Sequence, residues 1–365
     1  MSKIISIATA VPTFKHEQSD LYAFADKVYS RDETESRKLK FLYRQSNISS
    51  RYSVIPDYSL TEDEWQFFPG EASKQCYPGL EKRMEWFNRH AAPLSVEAIE
   101  KCIAGKIDKS DITHLITVTC TGLSAPGLDL QVMDLMQLPT NIFRSSVNFM
   151  GCYAAVHALK LADALCKNDK KANVIIVCTE LCTLHFQKEI SPDNITSSLL
   201  FADGSAAALI QHNDAEAKGI VIDNYYAEVS FNGKKDMAWE LSSTGFLMTL
   251  TGYVPALIKE DFKILLRKAL DAAGLQQEEI SHWCIHPGGS KILDAIAVSA
   301  GLEKNDLHFA YDVLWEYGNM SSPTILFVLK KILDELEQNQ SSTAKIFGAA
   351  FGPGLTMETF TASYA

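Results

Sequence analysis

The chain has 365 residues, 47% of them apolar and 22% charged, and a formal net charge of −11. That is more chain than one ordinary domain takes and enough apolar content for a large core, which excludes a disordered chain. The acidic balance argues against a nucleic-acid partner, and no apolar run approaches the roughly 18 to 20 residues of a membrane span.

The first segment, Met1 to Ala8, runs into polar Lys15-His16-Glu17-Gln18 without a small-residue cleavage pattern, so no signal peptide and a soluble, cytoplasmic protein are expected. Lys3–Thr9 reads as a short buried strand. From about Asp32 to Arg89 clear strands are few and charge is mixed, the pattern of an insertion or cap. His114–Thr119 and Val174–Thr179 are β-branched runs that read as buried strands. Between them Gly151 marks a tight turn, and the small and aliphatic residues from Ala154 support a helix to about Cys166. Phe201-Ala202-Asp203-Gly204 is a Gly-punctuated turn leading into another strand, and His212–Glu216 reads as a linker. Gly219–Val229 is a further strand. A helix follows over Pro255–Ala273, with Ile258, Phe262, Leu265, Leu266 and Ala269 on one face and Gly274 as its stop. Beyond strand His282–Ile285, Ser322 as N-cap and Pro323 as first helical residue open a helix to about Leu336. Strand Lys345–Ala349 then meets a second Gly-punctuated turn, Phe351-Gly352-Pro353-Gly354. Alternating strands and helices predict an α/β fold, and the two similar turns hint at two related halves meeting near residue 213.

The eight cysteines include no CxxC pair, and Cys178 and Cys182 have no matching Cys or His cluster, so free thiols and no metal are expected. Cys152 follows Gly151 at the start of the predicted helix, where the dipole and free N–H groups favour a thiolate. A buried structural cysteine fits the same turn. His286, in His286-Pro287-Gly288-Gly289, follows a strand's C-terminal end, where α/β folds place their sites, although a turn histidine without a role fits as well. Asn319, in Gly318-Asn319-Met320-Ser321-Ser322, taken alone reads as a turn or capping residue. Together the three are a nucleophile, an imidazole and an amide donor, a set able to stabilise a thiolate and a thioester enolate. A papain-like protease uses the same order, but its Cys-Gly-Ser/Ala-Cys-Trp/Tyr signature is missing.

Gly151-Cys152-Tyr153-Ala154, His286-Pro287-Gly288-Gly289, Gly318-Asn319-Met320-Ser321-Ser322 and Phe351-Gly352-Pro353-Gly354 together resemble the type III polyketide synthases, the chalcone-synthase-like branch of the thiolase superfamily. Val177-Cys178-Thr179-Glu180-Leu181-Cys182-Thr183-Leu184-His185-Phe186 resembles bacterial alkylpyrone and alkylresorcinol synthases more than plant enzymes. The resemblance implies a five-layered αβαβα thiolase-like fold of pseudo-duplicated halves, residues 1–212 with the nucleophile and the cap (about 32–89), and 213–365 with the His and Asn. It also implies a homodimer that needs no metal or redox cofactor and uses acyl-CoA and malonyl-CoA as substrates. Cys152 would carry the acyl group while His286 and Asn319 bind the malonyl thioester for decarboxylation. Repeated condensation and ring closure would then give a pyrone, resorcinol or related phenolic.

Further assignments follow from the resemblance. Phe201 and Met248 take the gatekeeper positions between CoA tunnel and cavity, and Phe201 alone would read as a core aromatic. Cys120, Thr121, Ala125, Cys182, His185 and Ser321 take cavity positions, with Ala125 smaller than the plant residue and Trp239 in place of a glycine. Gly352, Pro353 and Gly354 border the substrate, and Gly288 and Gly289 let the backbone approach the thioester. The basic stretch Arg37–Arg44 makes Lys38 and Arg44 candidates for the CoA phosphates, a solvated helix face being the alternative. The competing family is β-ketoacyl-ACP synthase III, which condenses once and usually carries His-x-Ala-Asn where this chain has His286-Pro287-Gly288-Gly289. A non-catalytic acyl-CoA-binding protein on the same scaffold is a third reading.

Overall fold

A computed structural model describes residues 1–70, 76–339 and 344–365; residues 71–75 of the expected cap lie outside this range. The first half of the chain runs β1 (Ser2–Ala10), β2 (Phe14–Glu17), α1 (Gln18–Tyr29), α2 (Glu33–Gln45), β3 (Ser50–Ser53), α3 (Leu80–Ile103), β4 (His114–Thr119), α4 (Leu128–Met136), β5 (Phe143–Asn148), α5 (Ala154–Asn168), β6 (Val174–Leu181), α6 (Pro192–Leu200) and β7 (Asp203–His212). The remainder runs β8 (Ile220–Val229), the hairpin β9 (Met237–Ser242) and β10 (Gly245–Leu250), α7 (Val254–Ala273), β11 (His282–Ile285), α8 (Ser290–Ala300), α9 (His308–Tyr317), α10 (Thr324–Gln338), β12 (Lys345–Gly352) and β13 (Thr356–Tyr364).

Nine strands pair in the order β11-β12-β13-β8-β1-β7-β6-β4-β5. The order contains one pattern twice. β1 is antiparallel to β7, β7 antiparallel to β6, and β6 parallel to β4. In the second run β8 is antiparallel to β13, β13 antiparallel to β12, and β12 parallel to β11. Among the described residues, strand pairing joins the runs at β1 and β8, through Lys3↔Val221 and Ile4↔Ile220. Helices α5 and α10 each contact strands of both runs, α5 on β4, β6, β7 and β13, α10 on β11, β1 and β7. They therefore form the middle layer. Outside the first run α3 packs on β1, β6 and β7; outside the second α7 packs on β8 and β13 and against α8. This is the five-layered α/β arrangement.

The middle layer explains the sequence of its strands. β4 and β6 are buried along their whole lengths, so both faces must be apolar and the runs read as continuous rather than alternating. Helix α7 ends where Gly274 adopts a left-handed φ of 69°, as its sequence predicts. Helix α10 departs from expectation. It starts at Thr324 with Pro323 in the cap position, and the Ser322 hydroxyl does not cap it but donates to Glu180 at 2.7 Å. The region expected to be a strand-poor cap holds α2, β3 and the first turns of α3. Asp32 caps α2 by accepting from the N–H groups of Thr34 and Glu35, and the helix buries only Leu39 and Tyr43, so its exposed charged face hid it. Among the described residues no helix is long and apolar enough to cross a membrane.

Candidate active site

The nucleophile turn is built between the two runs. Gly151 takes φ +80°, and a β-carbon there would overlap the Pro353 ring, so only glycine meets both demands. From the other side Gly352 lies against Tyr153, where a β-carbon would come within 2.6 Å of its ring. Gly151 donates its N–H to Cys120 Sγ at 2.9 Å. Cys152 sits two residues before α5 begins, with its thiol directed to Ser321 Oγ at 3.6 Å.

His286 and Asn319 come from the second run. The His286 N–H donates to Ala349 on β12, which extends the parallel β11–β12 pairing by one residue and fixes the imidazole at the strand end. The ring is 1% exposed, and neither of its nitrogens has a hydrogen-bond partner among the described residues. Asn319 is locked at its backbone: its N–H donates to Leu200 and its carbonyl accepts from Ala202, both at 2.9 Å. Its side chain accepts from the Ser321 N–H at 2.8 Å and donates to the Gly288 carbonyl at 3.3 Å. Ser321 is thereby held at φ 61° beneath the Cys152 thiol.

Cys152, His286 and Asn319 line one cavity containing about 630 Å³ of space not filled by atoms. Burial pushes the Cys152 thiol up to about 12, opposed by hydrogen bonds from Ser321 and Asn319, and pushes His286 down to about 3. Both shifts favour the neutral forms, so the resting cavity holds a thiol and a neutral imidazole. The expected thiolate is not the resting form, because Cys152 is deeply buried and lies two residues before the helix begins.

Sequence reading missed Glu180, at the end of β6. Its carboxylate accepts from Cys120 N–H and Thr121 hydroxyl at 2.8 Å each, from Thr119 at 3.3 Å and from Ser322 at 2.7 Å. Burial, set against these donors, raises it to about 7. One acid thus ties the loop after β4, beside Cys152, to the loop carrying Asn319. The only signal was a single carboxylate in an otherwise apolar strand.

Of the other candidates, Phe201, Met248, Cys120, Thr121, Cys182, Trp239, Ser321, Gly288 and Pro353 line the catalytic cavity. Ala125 does not: it lies on an exposed turn that leaves the sheet beyond Gly122. His185 lies behind the cavity, accepting from the Phe246 N–H at Nδ1 and donating from Nε2 to Thr121. Gly354 is outside the lining, and Gly289 lines an outer pocket of about 770 Å³ that shares Leu250, Gly288 and Ile292 with the cavity. That pocket is walled by Leu42, Gln45 and Ser46 of α2 and by Lys291, whereas Lys38 and Arg44 are exposed and do not line it. Lys291 is a cation on this pocket that the sequence did not single out. Among the described residues no group of three or more His, Cys, Asp or Glu is arranged to hold a metal ion.

Family models decide the relationship. That of the chalcone and stilbene synthase N-terminal domain matches residues 1–214, and that of the C-terminal domain matches residues 226–363. The chain belongs to the chalcone and stilbene synthase family. Chalcone and stilbene synthase relatives include the "Alpha-pyrone synthesis polyketide synthase-like Pks18" of Mycobacterium tuberculosis, 29% identical over 97% of this chain and 89% of that protein. "Probable polyketide synthase 1" of Dictyostelium discoideum is 30% identical over 98% of this chain, but the chain spans only 11% of that protein's length. The solved C-terminal type III polyketide synthase domain of Steely1, a type I/III hybrid from Dictyostelium, superposes with a TM-score of 0.89 at 29% identity, covering 100% of this chain and 99% of that one. PKS-I of the brown alga Ectocarpus siliculosus shares the fold, with a TM-score of 0.93 at 24% identity and coverage of 100% and 98%. As a chalcone-synthase-family type III polyketide synthase, the protein is an acyltransferase.

Proposed function

We propose that Cys152 takes an acyl group from an acyl-CoA and extends it by repeated decarboxylative condensation with malonyl-CoA, with cyclisation to a pyrone, resorcinol or related phenolic. The observation that carries the reading is one cavity lined by a buried thiol, an imidazole with both nitrogens unpartnered and an amide. His286 takes the Cys152 proton, and the thiolate attacks the starter thioester with CoA as leaving group. Protonated or neutral, His286 then donates with Asn319 to the malonyl thioester carbonyl. Loss of CO₂ leaves its electron pair in an enolate that these donors stabilise. The enolate carbon attacks the Cys152 thioester, freeing the thiol, and the lengthened chain returns to it.

The outer pocket lined by Lys291, Gln45, Gly288 and Gly289 is the CoA channel in this reading, with Lys38 and Arg44 on the rim of α2 as long-range attraction for the phosphates. The halves meet at residues 212 and 213, each supplying part of the site. A second copy of the chain covers the outer face of edge strand β5 and α4, where Phe143, Leu135, Leu123 and Leu130 are exposed together. Eight free thiols and CoA substrates fit a cytoplasmic location. The test is incubation with malonyl-CoA and acyl-CoAs of graded length, products being identified by mass. Two or more added ketide units support the reading; a single condensation that requires an acyl carrier protein contradicts it.

A further inference from the structure

Behind the catalytic cavity lies a second, narrow chamber. Cys182, Phe201, Trp239 and Met248 line both spaces, so these four side chains are the partition. Trp239 is fixed in it by donating Nε1–H to the Cys120 carbonyl at 2.6 Å and by edge contacts with His185 and Phe246. Met248 is the yielding member, a half-buried thioether whose rotation breaks no hydrogen bond of its side chain.

The lining of this chamber also holds donors without acceptors. Arg51, on β3, is 3% exposed. Its Nε donates to Gln18 Oε1 at 3.1 Å and Nη1 to the Phe201 carbonyl at 2.5 Å, while Nη2 has no hydrogen-bond partner among the described residues. Tyr43, which hydrogen-bonds to the guanidinium, then Tyr58 and Asp203 lie near enough to favour the charge, while the Asp203 oxygens accept from Val54 and Thr183. The Ser197 hydroxyl, on α6, is likewise buried and unpartnered. A charged N–H and a hydroxyl left dry cost free energy that an acceptor oxygen on a ligand would recover. A plain alkyl chain offers none; a carbonyl-bearing chain does.

We propose that this chamber is a second acyl subsite that takes a carbonyl-bearing part of the bound chain, its oxygen accepting from Arg51 Nη2 and Ser197 Oγ. The proposal rests on the polyketide reading above. The carbonyl has two sources: an oxygenated starter, or the keto groups that condensation itself adds to an alkyl starter. Entry in either case is past Met248.

Two arms test it. In the first, C152A protein, which binds thioesters without turnover, is titrated calorimetrically with acyl-CoAs of graded length, each with and without a terminal keto group. In the second, proteins with Cys152 intact receive an alkanoyl-CoA and malonyl-CoA, and the distribution of product lengths is read by mass. If the subsite holds a starter carbonyl, C152A binds the keto series about tenfold tighter at the matching length, and adding S197A or R51K erodes that preference. If it holds the growing chain, S197A shifts the product distribution to fewer extensions. R51K also disturbs the anchor on Phe201, so S197A decides where R51K fails to fold. Equal affinity across both series, together with an unchanged product distribution in S197A, overturns the subsite. Failure of either acyl-CoA series to bind at all overturns the acyl-CoA reading itself, and the subsite with it.

Discussion

Glu180 accepts a hydrogen bond from Ser322 at 2.7 Å, joining the end of β6 to the loop that carries Asn319. The same carboxylate holds the loop from Thr119 to Thr121, so a single buried acid sets the two sides of the cavity relative to one another.

This arrangement makes stability depend on pH with a defined sign. Burial raises Glu180 from 4.5 to about 7, so the folded state binds its proton more tightly than the unfolded chain. The stabilisation is full below the unfolded value and is lost as pH rises through the folded one. Denaturant titrations of the natural protein and E180Q, run from about pH 4.5 to about pH 7, should therefore show the difference in stability between them falling by up to about 3 kcal/mol. Parallel curves would show that Glu180 does not titrate in this window.

Gly151→Ala forces a side chain into a left-handed backbone and into the Pro353 ring. Strain and overlap together predict a loss of about 2 to 4 kcal/mol and a displaced Cys152. Thermal unfolding and thiol labelling check this. A variant as stable as the natural protein would mean that the two runs do not need their close contact at this point.

The division of labour in the cavity predicts separable defects. Cys152→Ala should abolish chain extension yet leave malonyl-CoA decarboxylation, because the His286 and Asn319 donors remain. His286→Ala and Asn319→Ala should lose both, by about 10²-fold or more. Release of CO₂ and product formation are measured separately on each variant. Decarboxylation at the natural rate in either donor variant would remove that residue from enolate stabilisation.

The apolar face around β5 gives a prediction about assembly. Phe143→Asp with Leu135→Asp places two charges on the surface proposed to meet a second copy, and should convert a dimer into a monomer in light scattering. An unchanged mass would put the dimer interface elsewhere.

The strands buried on both faces were the easiest to read. His114–Thr119 and His282–Ile285 were delimited to the residue, because short apolar runs bounded by polar or turn residues read as buried strands. Cys152, His286 and Asn319 were legible because each sits in a short turn motif that constrains the backbone. Glu180 was not, since its partners lie 59 to 142 positions away and no local pattern announces them. Ser322-Pro323 misled for a related reason: a serine before a proline satisfies a local capping rule, but tertiary contact with Glu180 claims the hydroxyl. Ala125 was assigned from a matched position and Lys38 from a basic stretch, and exposure is set by where a loop or helix face turns.

The central claim is that Cys152 carries the growing acyl chain. Incubation with an acyl-CoA alone, followed by mass analysis of the intact protein and its peptides, tests it most directly. The account predicts one acyl adduct on the peptide containing Cys152, lost in C152A and discharged when malonyl-CoA is added. An adduct on another residue, or condensation that proceeds in C152A, would contradict it.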